Sequence, residues 1–184
     1  MVGLFAVLGH HLAWSQPSRV ATPPPLELQR QNATCMIAWL ESQLHVREKT
    51  GRNDGPEIEA YLRTTGNAPG SEWCGACQAT GNRHCGLPIP AGAGGSYNWF
   101  KASDPRTFFL RGTRGSADDI QPGHKVGFYR PALKRIGHIG CAVARTKNGF
   151  ITIEGNTGRG VGAGVHRLSR SKGEIYAASN WLYK

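Results

Sequence analysis

The chain has 184 residues and a net charge of +10 at pH 7, from 22 Lys and Arg against 12 Asp and Glu. This length predicts one domain, and no apolar run reaches the roughly 18 residues needed to cross a bilayer. The basic residues are scattered and form no nucleic-acid-binding motif, so we expect no nucleic acid partner, although the charge suits another polyanion.

The first 25 residues are expected to be a signal peptide followed by a Pro-rich spacer. Val2–Gly9 is apolar, Ala13-Trp14-Ser15 resembles a small-x-small cleavage site, and Pro23-Pro24-Pro25 follows. The usual basic start is missing, so an ordinary N-terminal tail is the alternative. We expect a periplasmic or secreted protein whose catalytic domain spans residues 26–184.

Three helices are predicted before any strand. Apolar residues recur at steps of three or four from Leu26 to Lys49, which indicates the first helix. Pro56 opens the second, with Ile58, Tyr61 and Leu62 on its apolar face. A polar loop over residues 65–71 leads to the third, which is expected to begin at or just before Cys74 and to end near Gly81-Asn82.

Strands are predicted late in the chain. Residues 86–119 indicate little regular structure beyond a short segment at Tyr97–Lys101. The expected strands are Lys125–Tyr129, Gly137–Arg145, Phe150–Glu154 and Ala177–Leu182. Helices followed by an antiparallel meander predict an α+β domain.

Cys74 is predicted to stand where a loop turns into a helix. The helix dipole and the free N–H groups of the first turn favour the thiolate, which is the nucleophilic form of cysteine. The same N–H groups could receive the oxyanion of a tetrahedral intermediate. A buried structural cysteine would fit this position as well.

The two strands around Lys147-Asn148-Gly149 alternate in polarity. Odd positions are apolar in both, whereas even positions are polar or small, which predicts one apolar face and one uncrowded polar face. A three-residue loop ending in a left-handed glycine would bury both apolar faces together. This loop predicts Ala142 opposite Glu154 and Gly140 opposite Asn156.

That register places His138 on the same face as two polar residues of the next strand. Asn156 would be its diagonal neighbour, at about 7–8 Å between Cα atoms, with Glu154 nearby. A histidine oriented by an amide or carboxylate and facing a helix-terminal thiol is typical of cysteine amidases and peptidases. A surface histidine beside two polar residues is the alternative.

Three motifs resemble those of the CHAP family, the cysteine- and histidine-dependent amidohydrolases/peptidases. They are Glu72-Trp73-Cys74, Gly137-His138-Ile139-Gly140 and Ile153-Glu154-Gly155-Asn156-Thr157. With the run from His45 to Tyr61, the resemblance covers about residues 35–160. It implies a papain-like/CHAP fold, related to NlpC-type hydrolases, in which N-terminal helices pack on an antiparallel sheet and the nucleophile begins a helix.

The resemblance also implies roles for four residues. Cys74 would be the nucleophile, His138 the general base, and Glu154 and Asn156 the pair that orients the imidazole. The implied reaction is cleavage of an amide in peptidoglycan, either the muramoyl–L-alanine bond or a peptide bond of the stem or cross-bridge.

Further expectations concern ligands and partners. Trp73, Asn53 and Tyr61 are candidate substrate-binding residues, although Trp73 fits core packing equally well. Some family members bind calcium, but this sequence has no Asp-x-Asp-x-Asp run, so we expect neither a metal nor a cofactor. Peptidoglycan is the expected partner of a monomer, joined by an immunity protein if the enzyme is a toxin delivered to rivals.

Other functions remain open for the same cysteines. Trp73-Cys74-Gly75-Ala76-Cys77 also fits a thiol-disulfide oxidoreductase using Cys74 and Cys77, although a loop, not an apolar strand, precedes it. A zinc site at Cys77, His84 and Cys85 is weaker, since only one Cys-x-x-Cys pair is present. A non-catalytic cell-wall-binding module is a further alternative.

In an exported protein, the four cysteines other than Cys74 could form two disulfides. Cys77–Cys85 is the preferred pair. It requires the third helix to break at Gly81-Asn82, because an unbroken helix would hold the two Cα atoms roughly 12 Å apart. Buried reduced thiols are the alternative, and Cys141 fits a core position.

Overall fold

A computed structural model describes residues 25–184, so the predicted signal peptide and nearly all of the spacer lie outside the described residues. Within that range no helix is long and apolar enough to cross a membrane. The helices are α1 (Leu26–Ser42), α2 (Pro56–Thr65) and α3 (Cys74–His84). The strands are β1 (Thr107–Leu110), β2 (Lys125–Arg130), β3 (Arg135–Arg145), β4 (Gly149–Thr157), β5 (Gly164–Ser171) and β6 (Ala177–Ser179).

The six strands form one antiparallel sheet in the order β1-β6-β2-β3-β4-β5. The three helices pack against this sheet, which confirms the predicted α+β class. Their shared core joins Leu40 of α1, Leu62 of α2 and Cys77 of α3 to Cys141 and Ile153 of the sheet. Burial of this apolar surface holds the start of α3 against β3 and β4.

Two helix boundaries differ from the prediction. The first helix ends at Ser42, because the backbone of residues 46–48 pairs with β5: Val165 N–H donates to the Val46 carbonyl at 3.1 Å, and Glu48 N–H donates to Ala163 at 2.8 Å. This long-range pairing outweighs a helical pattern that continued to Lys49. The third helix continues beyond the expected end at Gly81-Asn82.

Two strands were not predicted. β1 lies in the segment expected to be irregular, and β5 follows β4 as an edge strand. Every second residue of β5 from Arg167 onward is exposed, and few of its residues are apolar. The half-buried positions of β5 are His166, Leu168 and Arg170. Because two of these three are polar, the sequence lacks the apolar alternation that marked β3 and β4.

The β3–β4 hairpin differs from the predicted register by two residues. Ala142 pairs with Thr152, not Glu154: the turn pairs Arg145 with Phe150, which shifts the register by one residue, and a bulge between Ala142 and Ala144 shifts it by a second. Gly149 is also not left-handed. Glu154 now faces Gly140, where a Cβ atom would lie 2.5 Å from Glu154 Cγ. The carboxylate therefore takes the place that the prediction gave to Asn156.

The even-numbered face of the β3–β4 hairpin is crowded, although an uncrowded face was predicted. Ala142 and Phe150 on this face pack with Val126, Phe128 and Ile175 in a second apolar cluster. His138 and Glu154 are buried beside that cluster. The polar residues of the hairpin thus lie in a largely dry environment, where hydrogen bonds and charges act more strongly than in water.

The predicted Cys77–Cys85 disulfide is wrong. Cys85 instead bonds to Cys35 of α1, across 50 residues of sequence. Because α3 runs unbroken to His84, Cys77 stays on the helix, out of reach of Cys85. Gly81 allows α1 to approach closely, since a Cβ there would lie 2.5 Å from Met36 Cε, and this contact brings Cys35 to the end of α3.

Candidate active site

Cys74 is the first residue of α3, as predicted. Cys77 N–H donates to the Trp73 carbonyl at 2.9 Å and closes the first turn. No side chain caps this end of the helix. The leading N–H groups of α3 therefore have no capping side chain as an acceptor. Such an end offers donors to an oxyanion formed at Cys74.

A glycine behind the nucleophile brings a second segment close to it. A Cβ atom on Gly75 would lie 2.5 Å from the Gly94 carbonyl oxygen and 2.6 Å from that of Ala93. Only glycine permits this approach without displacement. The segment over residues 92–95 therefore packs against the first turn of α3.

His138 lies in β3 and contacts a buried carboxylate. Its Nε2 is 2.8 Å from Glu154 Oε2, and both side chains are almost fully buried. The ring of Phe128, opposite it in β2, lies 5.6 Å away. With Nε2 engaged by Glu154, Nδ1 is the ring nitrogen that remains for Cys74.

Glu154 accepts four hydrogen bonds. Oε1 accepts from Thr152 Oγ1 at 2.6 Å and from Arg170 Nε at 2.9 Å, and Oε2 accepts from Arg170 Nη2 at 2.8 Å and from His138. Burial alone would raise the pKa of Glu154, but these bonds and the charges of Arg170 and His138 lower it to about 2. Glu154 is therefore a fixed carboxylate that holds a proton on His138 Nε2.

The same environment favours the imidazolium. Burial would lower the pKa of His138, but interactions with Cys74 and with the carboxylate of Glu154 raise it to about 9. At neutral pH the ring is consequently protonated beside Cys74. A thiolate paired with an imidazolium is the reactive form of a cysteine nucleophile.

Arg170 is a site residue that the sequence reasoning missed. It lies near the end of β5, stacks over Phe128 at 4.7 Å from the ring centroid and also binds Glu174 at 3.0 Å. The signal available for it was weak, because β5 shows no apolar alternation. Its guanidinium fork neutralises Glu154 with two parallel bonds and fixes the carboxylate in one plane.

Asn156 has a different partner from the expected one. Its Nδ2 donates to Glu72 Oε2 at 2.6 Å, and its backbone is left-handed, with φ of 57°. The bond joins the end of β4 to the residue two positions before Cys74. In this structure Glu154 is the hydrogen-bond partner of His138, and Asn156 joins the loop before Cys74 to the sheet.

Two of the three predicted substrate-binding residues are core residues in the structure. Trp73 is fully buried, and its Nε1 donates to Glu48 Oε1 at 3.1 Å. Tyr61 packs against Trp73 at 5.9 Å between ring centroids and donates to Gln43 Oε1. Their side chains support the start of α3 from behind and do not line a cleft.

Asn53, the third, connects two loops near the nucleophile. Its backbone N–H donates to Glu48 Oε2 at 2.9 Å, and its Nδ2 donates to the Gly70 carbonyl at 3.1 Å. Glu48 thus binds both Asn53 and Trp73. These bonds fix the loop that delivers the chain to Cys74, and the left-handed φ of 57° suits asparagine.

The surroundings of Cys77 and Cys85 bear on the two alternative cysteine functions, the thiol-disulfide oxidoreductase and the zinc site. Cys77 is fully buried and reduced, and burial raises its pKa to about 12. Gly155 packs directly on it, since a Cβ there would lie 3.0 Å from Cys77 Sγ. A zinc site with Cys85 is excluded, because that sulfur belongs to the disulfide.

No family model and no curated protein matches the sequence. Among solved structures, the fold is similar to the crystal structure of the P60 domain of an antigen from M. avium paratuberculosis. The TM-score is 0.51 over 84% of this chain and 96% of that one, at 13% identity. This similarity concerns the fold alone. It confirms the predicted papain-like α+β fold, whereas membership of the CHAP family remains a prediction.

Proposed function

We propose that the chain is a peptidoglycan hydrolase that cleaves an amide bond by acyl transfer to Cys74. The observation that carries this proposal is the buried His138, which is hydrogen-bonded through Nε2 to the fixed carboxylate of Glu154 and whose pKa is raised by its interaction with Cys74. The papain-like fold shared with a P60 domain supports it.

Each step uses a group already in position. The Cys74 thiolate attacks the amide carbonyl, and the N–H groups at the start of α3 receive the oxyanion. The protonated His138 then gives its Nδ1 proton to the leaving amine, so the C–N bond breaks and a thioester remains. Water attacks the thioester, His138 takes the water's proton, and Cys74 returns as the thiolate.

Glu154 serves this cycle by remaining ionised throughout. Because its pKa is about 2, Glu154 is ionised at every physiological pH and accepts a hydrogen bond from His138 Nε2–H. This bond keeps Nδ1 directed to Cys74. It also stabilises the positive charge that His138 carries before the leaving amine is protonated. Arg170 offsets the cost of burying the carboxylate.

The disulfide supports a location outside the cytoplasm. Cys35–Cys85 would form and persist in an oxidising compartment such as the periplasm or the extracellular space. Peptidoglycan is present in those compartments, and its carboxylates complement a chain with a net charge of +10.

Lysis of purified sacculi tests the proposal. Wild type should clear a sacculus suspension, Cys74→Ala should not, and Cys77→Ala should clear it, with circular dichroism confirming that each variant is folded. Mass spectrometry of the released muropeptides would identify the bond that is cut. Loss of activity in both variants would favour the oxidoreductase, and sacculus binding without lysis by wild type would favour the wall-binding module.

A further inference from the structure

The end of the β2–β3 hairpin projects from the domain. All seven residues from Tyr129 to Arg135 are exposed. Three of them are cationic: Arg130, Lys134 and Arg135. With Tyr129, Leu133 and the neighbouring Tyr97 they form what we call the hairpin-end patch, which holds three of the six exposed large hydrophobic side chains of residues 25–184.

No carboxylate compensates the charge of this patch. The sequence contains no Asp or Glu between Asp119 and Glu154, and Glu154 is buried and bound to Arg170. Tyr97 belongs to a second acid-free stretch, between Glu72 and Asp104. None of the ion pairs among the described residues includes a cation of the patch. The surface therefore attracts anions.

The side chains of the patch are held in place by packing. The Arg135 guanidinium lies 5.0 Å from the Tyr97 ring centroid and donates to the Ile136 carbonyl at 3.1 Å. Tyr129 stacks on Tyr176 with ring centroids 4.9 Å apart. Arg130 folds over Gly137, where a Cβ would lie 2.5 Å from Arg130 Cγ. Such ordering lowers the entropic cost of binding a ligand.

The patch adjoins the candidate active site along β3. Arg135 precedes His138 by three residues of one strand, which span about 10 Å. Ser96, next to Tyr97, donates to the Ile136 carbonyl, and Ile136 packs in the same cluster as Cys74. Ile136, the residue after Arg135, therefore connects the patch to the cluster that contains Cys74.

We propose that the hairpin-end patch binds carboxylate-bearing segments of peptidoglycan beside the bond that is cleaved. This inference rests on the proposed function and adds its recognition surface. The guanidinium groups of Arg130 and Arg135 present forks that match carboxylates, and Lys134 adds a point charge. The exposed faces of Tyr97 and Tyr129 offer flat apolar surface to sugar rings or stem-peptide side chains.

The test compares two charge-matched variants in an inactive Cys74→Ala background. One is Arg130→Gln/Lys134→Gln/Arg135→Gln. The control, Arg63→Gln/Arg83→Gln/Lys147→Gln, also removes two Arg and one Lys, all exposed and on other elements. Binding to purified sacculi is measured by sedimentation. Exposed charge pairs each contribute roughly two- to fivefold, so the patch variant should bind about tenfold more weakly, whereas the control should bind like its parent.

Equal weakening of both variants, or of neither, would overturn the proposal. So would unchanged binding of the parent to sacculi whose carboxyl groups have been amidated. Patch-dependent binding to duplex DNA, without patch-dependent binding to sacculi, would assign the surface to nucleic acid instead. Hydrolysis of a soluble muropeptide by the Cys74-containing wild type is measured separately, so failure of the proposed function is distinguishable from failure of the patch.

Discussion

Replacing Glu154 by Gln removes the negative charge beside His138 but keeps a side-chain oxygen that can accept a hydrogen bond from His138 Nε2–H. The pKa of His138 is raised from its ordinary 6.5 to about 9, which corresponds to roughly 3 kcal/mol in favour of the imidazolium. Burial opposes that charge, and Arg170 would be left without its main counter-ion. We therefore expect the pKa of His138 to be lower in Glu154→Gln than in wild type, while the contribution of Cys74, which also raises it, remains.

The pH profile of kcat/KM on a soluble muropeptide measures this change, because it reports the ionisation of the free enzyme. In wild type the fall of kcat/KM at high pH, which we call the basic limb, should have its midpoint near pH 9. In Glu154→Gln it should move to lower pH, and kcat/KM at pH 8 should fall by up to roughly tenfold for each pH unit of that shift, because the imidazolium population falls roughly tenfold per pH unit above its pKa.

Glu174→Gln is the matched control. Glu174 also binds Arg170, at 3.0 Å, but it is exposed and has no contact with His138. Its replacement should leave the basic limb near pH 9. A limb that stays in place in Glu154→Gln, or that moves equally in both variants, would refute the reasoning that Glu154 sets the charge of His138.

The same variant should alter acid stability. The folded-state pKa of Glu154, about 2, lies below its ordinary 4.5, so its contribution is present above pH 4.5 and is lost as the pH falls toward 2. That contribution is roughly 3 kcal/mol. Urea unfolding should show that Glu154→Gln loses less stability than wild type between pH 5 and pH 2, and parallel curves would contradict this.

Three further outcomes are expected. Gly75→Ala should lower kcat/KM at least tenfold in a folded protein, because its Cβ would meet the carbonyls of residues 93–94, whereas Gly162→Ala, with open space around it, should not. Cys35→Ser/Cys85→Ser should lower the free energy of unfolding by about 4 kcal/mol for a loop of 50 residues, and unchanged urea unfolding would count against it. Asn156→Ala should leave the basic limb of the pH profile in place, and a shifted limb would restore Asn156 as an orienting residue.

Much of the site's framework was predictable from local pattern. A glycine- and proline-containing loop followed by a helix placed Cys74 at a helix start, as the structure has it. The two-residue alternation placed His138 and Glu154 on one face of the hairpin. These inferences hold because each depends on a few neighbouring residues.

The register of the hairpin, which decides the cross-strand partner of each residue on that face, could not be predicted from the alternation. The turn, which pairs Arg145 with Phe150, shifts the register by one residue, and a bulge between Ala142 and Ala144 shifts it by one more, so Glu154 replaces Asn156 beside His138. Alternation specifies the face of a residue but not its partner across the hairpin, and bulges leave little trace in one sequence.

Long-range partners were the least predictable. Arg170 reaches Glu154 from an edge strand whose polar sequence gave no apolar signal. Cys35 meets Cys85 only because α1 crosses α3 at Gly81. Both pairings depend on the packed fold, which the residues on either side of each position do not encode.

Trapping the acyl-enzyme tests the central claim most directly. A soluble muropeptide is mixed with the Cys77→Ala variant, which leaves one thiol in that segment of α3, and turnover is stopped with acid for mass spectrometry. The proposed mechanism predicts an acyl adduct on Cys74 that disappears after hydroxylamine treatment. Hydrolysis that persists in Cys74→Ala, or an adduct on another residue, would contradict it.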